Sequence, residues 1–115
     1  MLIRSQDKRM IVNFDNICTV SAFPEKDSED IYAEDGTGSL MIGRYSTKAK
    51  AMKALDMIQE AYAEYKITCT FLTGFTGHRA IVESNDICVN GFKELAENFK
   101  KNMVFQMPAD SEVEV

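Results

Sequence analysis

A single amphipathic stripe in the middle of the chain constrains its fold more than any other feature. Ser46 and Thr47 provide an N-cap, and the residues that follow carry apolar side chains at spacings of three and four, the periodicity of one helix face. The stripe consists of Met52, Leu55, Ile58, Tyr62 and Tyr65. The pattern predicts an amphipathic helix over residues 47–65, roughly 28 Å long, which is enough to cross a small sheet.

Short β-type segments lie on both sides of the predicted helix. Before it, β-branched and apolar runs alternate with turn residues from 2 to 45, which predicts an antiparallel meander of four or five strands. The segments after it are predicted as strands at 68–72 and 80–82, a second, shorter helix near 91–101 and a strand at 103–107. The predicted fold class is α+β: an antiparallel β meander packed against one long amphipathic helix, with a second shorter helix and a C-terminal strand.

The length and charge of the chain bound its organisation and its partners. With 115 residues the chain has room for one core, so residues 1–108 are expected to form a single α+β domain and residues 109–115 an acidic flexible tail. The formal net charge is −5, which disfavours direct binding of nucleic acid. No apolar run reaches the ~18 residues of a membrane span, and the N-terminus lacks the apolar core of a signal peptide. No membrane contact and a cytoplasmic location are therefore expected.

The sequence motifs that are typical of enzymes are missing. The chain has no H-E-x-x-H, no G-x-S-x-G and no pair of carboxylates at a catalytic spacing. The glycine-bearing loop from Gly74 to Arg79 lacks Walker spacing. One histidine, His78, and three cysteines without a C-x-x-C pair do not make an ordinary zinc site. The chain is therefore predicted to be non-enzymatic, with no catalytic residues, no metal and no cofactor.

A cationic cluster near the start of the helix is the first candidate site. Lysines crowd the N-terminal half of the helix and acidic residues follow them, the reverse of the order that the helix dipole favours. Beside free backbone N–H groups, such cations are suited to receive a phosphate or another anion. The alternative is a solvated lysine face. The candidate anion-binding residues are Arg44, Lys48, Lys50, Lys53 and Arg79.

An acidic stretch before the helix is the second candidate site. Its members are Glu25, Asp27, Glu29, Asp30, Glu34 and Asp35, with Lys26 as the one counter-charge between them. Such a surface is suited to occupy a basic cleft on another protein by electrostatic complementarity. The alternative is a soluble loop and a charged edge strand that resists aggregation.

Four segments of the chain resemble a known group of proteins. They are LIRSQDK at 2–8, VNFDN at 12–16, GRYSTK at 43–48 and VFQMP at 104–108. In these segments the chain resembles small uncharacterised proteins encoded in phages, prophages and mobile elements of low-GC Gram-positive bacteria. The resemblance covers the first 65 residues and the last strand, and residues 66–102 look like an insertion. It implies a cytosolic accessory role and supplies no catalytic residues.

These observations together favour a protein that acts by binding. The leading expectation is a phage or mobile-element accessory protein that inhibits a host defence system by contacting a host protein, either a defence protein or a nucleic-acid-binding protein. One alternative is a protein that sequesters an anionic small molecule such as a signalling nucleotide. A second alternative is a structural component without a ligand, which forms a homo-oligomer.

Overall fold

The computed structural model describes residues 1–77, 94, 97 and 99–115, with residues 71–77 described by their place in a helix alone. Residues 94, 97 and 99–103 are helical. The other elements, in chain order, are β1 (Leu2–Arg4), β2 (Ile11–Asn13), a 3-10 turn (Phe14–Asn16), β3 (Thr19–Pro24), β4 (Glu29–Glu34), β5 (Ser39–Tyr45), α1 (Lys48–Gly77), β6 (Val104–Gln106) and a second 3-10 turn (Asp110–Glu112).

The strands form two three-stranded sheets. One sheet, here the N-terminal sheet, has the order β2-β1-β6, with β1 antiparallel to β2 and parallel to β6. The other, here the central sheet, is antiparallel with the order β3-β4-β5. The predicted α+β class, with antiparallel strands, one long helix, a short second helix and a C-terminal strand, is confirmed. The predicted meander is divided between the two sheets, and the first 3-10 turn lies between them in the chain. The side chain of Asn13 caps this turn by accepting the N–H of Asp15.

Helix α1 is longer than the sequence predicts. It begins as expected, with Thr47 Oγ1 accepting the N–H of Lys50 at 3.2 Å. It continues through to Gly77, so the strand predicted at 68–72 and the loop after it are wrong. Thr68 and Thr70 fit the helix because each hydroxyl donates to the carbonyl four residues earlier, at 2.9 Å in both cases. The strand predicted at 80–82 lies outside the described residues.

The core lies between α1 and the sheets. Small side chains at Ala51 and Ala54, both 0% exposed, bring α1 close to the central sheet, and Ile58 is buried one turn further on. The predicted stripe is confirmed at Leu55, Ile58, Tyr62 and Tyr65, which lie in or against the core, whereas Met52 is 45% exposed. The buried residues of the sheets and the C-terminal segment are Met1, Ile3, Val12, Ile31, Ala33, Ile42, Tyr45, Met107 and Val113.

A row of aromatic rings extends this packing along α1. The ring of Phe14 lies 4.8 Å from that of Tyr62, and Tyr62 lies 6.4 Å from Tyr65. Tyr65 in turn stacks on Phe99 at 5.7 Å. Offset and tilted ring contacts of this kind stabilise packing beyond the area they bury. They attach both the first 3-10 turn and the second helical segment to α1.

The C-terminal segment differs from the prediction of a flexible tail over 109–115. Val113 is 3% exposed and belongs to the core. The carboxylate of Asp110 accepts hydrogen bonds from the N–H of Ser46 at 2.7 Å and from its hydroxyl at 3.0 Å. The hydrogen bonds of Asp110 and the burial of Val113 together hold the C-terminal segment against the rest of the fold.

Gly43 is a position where a side chain would be tightly packed. A Cβ there would lie 3.0 Å from Cε2 of Tyr45 and 3.2 Å from Cε of Met107. Gly43→Ala is therefore expected to lower the free energy of unfolding by about 1–3 kcal/mol, the usual cost of overpacking a core. Gly38→Ala is the matched control, because a Cβ at Gly38 meets nothing within 4 Å. Urea unfolding of both variants tests this, and equal midpoints would contradict it.

Candidate functional site

The two candidate sites meet in a salt bridge across β4 and β5. The carboxylate of Asp30 accepts two hydrogen bonds from the guanidinium of Arg44, each at 3.0 Å, and a third from the hydroxyl of Ser28 at 2.9 Å. The Asp30 side chain is 1% exposed, whereas that of Arg44 is 61% exposed. The hydrogen bonds from Arg44 hold the pKa of Asp30 below its ordinary value, against the opposing effect of burial. A predicted anion-binding cation and a predicted contact acid thus neutralise each other.

A second predicted cation is also engaged by a carboxylate of the chain. The ammonium of Lys50 lies 3.3 Å from Oδ2 of Asp110 and donates to the Asp110 carbonyl at 3.0 Å. The N–H of Ser46 is the main cause of the lowered pKa of Asp110, and Lys50 adds to it. The start of α1 therefore already holds an anion, which belongs to the chain itself.

The predicted anion site is not assembled as a group of free cations. Arg44 and Lys50 bind different carboxylates. Lys48 and Lys53 are exposed on α1, and Arg79 lies outside the described residues. Among these residues, the structure favours the solvated lysine face for Lys48 and Lys53, and internal ion pairs for the other two described cations.

The acidic candidates divide into residues that hold the fold and residues that face solvent. Asp35 belongs to the first group with Asp30: its Oδ1 accepts from the N–H and the hydroxyl of Thr37 and from the N–H of Gly38, at 2.7–3.1 Å. These bonds shape the turn between β4 and β5 and lower the pKa of Asp35.

The remaining acidic candidates are Glu25, Asp27, Glu29 and Glu34. Glu25 and Asp27 are exposed in the loop between β3 and β4, while Glu29 and Glu34 are half-buried at the two ends of β4. Glu34 accepts a long hydrogen bond of 3.4 Å from the hydroxyl of Thr19. Within the described part of the chain, none of the four takes part in an ion pair.

The central sheet carries an apolar surface that was not predicted from the sequence. Ile31 and Ala33 of β4 are buried towards α1, so Tyr32 points to the opposite side. Ser21 of β3 and Met41 of β5 pair with Tyr32 across the sheet. We call the side formed by Ser21, Phe23, Tyr32 and Met41 the outer sheet face.

The outer sheet face is open to solvent. Phe23 is 48% exposed and Met41 is 40% exposed. The Phe23 ring meets that of Tyr32 edge-on, with centroids 5.9 Å apart. Partial burial is the largest cause of the raised pKa of Tyr32, and the negative charges of Glu25 and Asp30 raise it further, against the opposing positive charge of Arg44. The face is therefore an apolar patch bordered by the Asp30–Arg44 pair and by the carboxylates at the two ends of β4.

Residues of three segments, 2–8, 43–48 and 104–108, meet at the junction of the two sheets. The side-chain amide of Gln6 accepts the N–H of Arg44 at 2.8 Å and donates to the carbonyls of Arg44 and Pro108 at 3.0 and 3.2 Å. The side chain of Gln106 donates to the carbonyl of Ser5 at 2.9 Å. These residues satisfy backbone groups where the sheets meet, so their role is to hold the fold together.

Two shallow cavities flank α1. One, of about 280 Å³, lies between α1 and the start of β6, and the other, of about 290 Å³, lies between α1 and β3 beside the exposed Cys18. The residues that line them do not include a nucleophile with a neighbouring base. Across the described residues there is no group of three metal-ligating side chains, and no helix meets the length and hydropathy of a membrane span.

Comparisons with known proteins supply no relative: no family model, no curated protein and no solved structure matches this chain.

Proposed function

We propose that this protein is a non-enzymatic accessory protein of a phage or mobile element, which acts in the host cytoplasm by binding a host protein and inhibiting a defence system. One observation carries the proposal: the exposed carboxylates of the loop between β3 and β4 make no salt bridge with any described residue, whereas two of the predicted cations do. With Glu25 and Asp27 against Lys26, the exposed charge of this loop is net negative. The resemblance to phage and mobile-element proteins supplies the biological setting.

The charge distribution favours a basic partner. Residues 23–45 contain six carboxylates and two cations, Lys26 and Arg44, and Arg44 is already paired with Asp30. A patch of one sign steers a partner of the opposite sign and raises the association rate. Proteins that bind nucleic acid, as many defence proteins must, present basic surfaces of this kind. An acidic protein surface competes for them directly.

Sequestration of an anionic small molecule is less well supported. It requires Arg44 and Lys50 to be free for the ligand, and each already binds a carboxylate of the chain. A nucleotide would have to displace Asp30 or Asp110 and leave that carboxylate without its cation. The geometry therefore favours protein binding over the binding of a small anion.

Charge reversal in the β3–β4 loop tests the proposal. Glu25→Lys combined with Asp27→Lys is expected to weaken capture of the host partner by about tenfold or more, because both exposed carboxylates would then repel a basic surface. The same variant is expected to lose protection of an infecting phage in strains that carry defence systems. Quantitative mass spectrometry of captured proteins and plaque counts on a strain panel provide the two measurements.

Asp56→Lys combined with Glu114→Lys is the matched control. It makes the same change of charge at exposed positions elsewhere on the chain, and it is expected to keep both capture and protection. Circular dichroism establishes that both variants are folded. Equal capture by wild type and by the loop variant, with equal protection, would refute the proposal.

A further inference from the structure

We propose that the outer sheet face is the docking site for the host partner, and that its occupant is a basic segment in which an apolar side chain lies between flanking cations. The inference rests on the proposed function, because it names the chemistry of the partner that the acidic surface attracts. The inference adds an apolar contact to the electrostatic contact of the acidic residues.

The apolar part of the contact comes from adjacent strands. Tyr32 occupies the centre strand, with Met41 directly across on β5 and the Phe23 ring edge-on from β3. Aromatic residues and methionine are enriched at the centres of protein interfaces and depleted on the remaining surface. Met41 is 40% exposed and Phe23 is 48% exposed. A partner side chain that covers them therefore removes apolar area from water.

The carboxylates flank this centre along the strand direction. Glu25 and Asp27 lie in the loop at one end of β4, and Glu34 ends the strand at the other. Six residues of antiparallel strand span roughly 17 Å. A partner segment that crosses the face in extended form therefore places its apolar residue on Tyr32 and its cations at the two ends. Its cations then face carboxylates while its centre is desolvated.

Charge complementarity excludes a second copy of this chain as the favoured occupant. Two outer sheet faces in contact would bring the loop carboxylates of one copy near those of the other, and like charges across an interface are costly. A nucleic acid is disfavoured for the same reason, since its phosphates carry the same sign as the flanking residues. A basic polypeptide is the occupant that satisfies both the apolar centre and the acidic ends.

The first test uses defined peptides and the isotope-labelled protein. The probe is a short extended peptide with arginine pairs at both ends and leucines at its centre. In NMR titrations it is expected to shift the signals of the outer sheet face and the flanking loop and turn, and to leave those of α1 unchanged. A peptide with serine in place of the leucines is expected to bind at least about tenfold more weakly.

Matched polar substitutions provide the second test. Phe23→Thr combined with Met41→Thr removes the apolar contact and keeps strand-forming residues. Ile11→Thr combined with Leu40→Thr is the control, because these side chains are 60% and 47% exposed but lie outside the outer sheet face. The first variant is expected to bind the leucine peptide about tenfold more weakly, and the control is expected to bind it as wild type does.

The outcomes separate this inference from the proposed function. If the host partner is lost by Glu25→Lys with Asp27→Lys but kept by Phe23→Thr with Met41→Thr, the acidic surface acts without the apolar face and the inference is wrong. If neither variant loses the partner, both proposals are wrong. Equal binding of the leucine and serine peptides, absence of binding of the leucine peptide, or dimerisation of the wild type through this face would each overturn the inference.

Discussion

Asp30→Lys is expected to unfold much of the protein, even though its sequence position places it inside an acidic surface stretch. Its side chain is 1% exposed and lies against the guanidinium of Arg44. The ammonium of a lysine at position 30 would be removed from water without a carboxylate to pair with. It would also lie against the guanidinium of Arg44. We expect the free energy of unfolding to fall by about 3 kcal/mol or more, the cost of breaking a buried pair. Thermal and urea unfolding measure this loss.

Asp27→Lys is the control for Asp30→Lys. It makes the same change of charge three residues away, but at an exposed position. Substitutions at such positions usually change stability by no more than about 0.5 kcal/mol. Equal losses in the two variants would mean that the buried pair of Asp30 with Arg44 does not set the stability of this part of the chain.

Asp30→Asn checks the cause through pH. The pKa of Asp30 is lowered in the folded protein, mainly by the hydrogen bonds from Arg44. A lowered folded pKa stabilises the protein above the ordinary carboxyl pKa, and this contribution disappears as the pH falls through the folded pKa. The stability difference between wild type and Asp30→Asn is therefore expected to be largest at neutral pH and to shrink in acid. If the stability difference between wild type and Asp30→Asn stays constant with pH, the charge of Asp30 does not contribute to the stability of the fold.

The Asp30 result decides how the acidic surface is to be tested. A charge-reversal variant that includes Asp30 would lose any binding activity simply because it unfolds. Glu25 and Asp27 make no ion pair in the described part of the chain, so their reversal changes the surface and leaves the packing in place. Fold and binding can then be measured separately on the same surface.

The regular elements were predictable because local sequence determines them. The N-cap at Thr47 and the apolar spacing after it predicted where α1 begins. The end of α1 was not predictable in the same way: Thr68 and Thr70 favour strands by propensity, but they continue the helix, and their hydroxyls donate to carbonyls of the preceding turn. The buried face of α1 was predicted correctly except at Met52, and it also includes alanines, which give a weak hydrophobic signal.

The candidate site was harder to predict because it depends on register. The sequence shows six acidic residues between positions 25 and 35. It does not show that Asp30 lies opposite Arg44. Likewise, Phe23, Tyr32 and Met41 come from three strands, and a bulge between Ile31 and Tyr32 shifts the pairing to β5. A change of one residue in register would move each side chain to the other face. Alternation within a strand places Tyr32 on the side opposite to Ile31, but it does not identify the residues of β3 and β5 that lie beside Tyr32.

Tyr45→Ala is the second substitution for which we expect a large loss of stability. Tyr45 is 0% exposed, and its hydroxyl donates to the carbonyl of Pro108 at 2.8 Å. Burial raises the pKa of this hydroxyl well above its ordinary value, and the negative charges of Asp110 and Glu112 add to the effect. Removing the ring is expected to cost about 3–5 kcal/mol, because the site holds a large aromatic side chain with no solvent to replace it.

Tyr45→Phe separates the hydrogen bond from the packing. It keeps the ring and removes only the hydroxyl, and Pro108 keeps a second donor in the amide of Gln6 at 3.2 Å. We therefore expect a loss of about 1 kcal/mol for this variant, measured by the same unfolding experiments. A loss as large as that of Tyr45→Ala would mean that the bond to Pro108, and not ring burial, fastens the C-terminal segment to β5. If Tyr45→Phe loses less stability than Tyr45→Ala, as we expect, most of the stabilisation comes from burial of the ring. The hydroxyl then fixes the orientation of the ring towards Pro108.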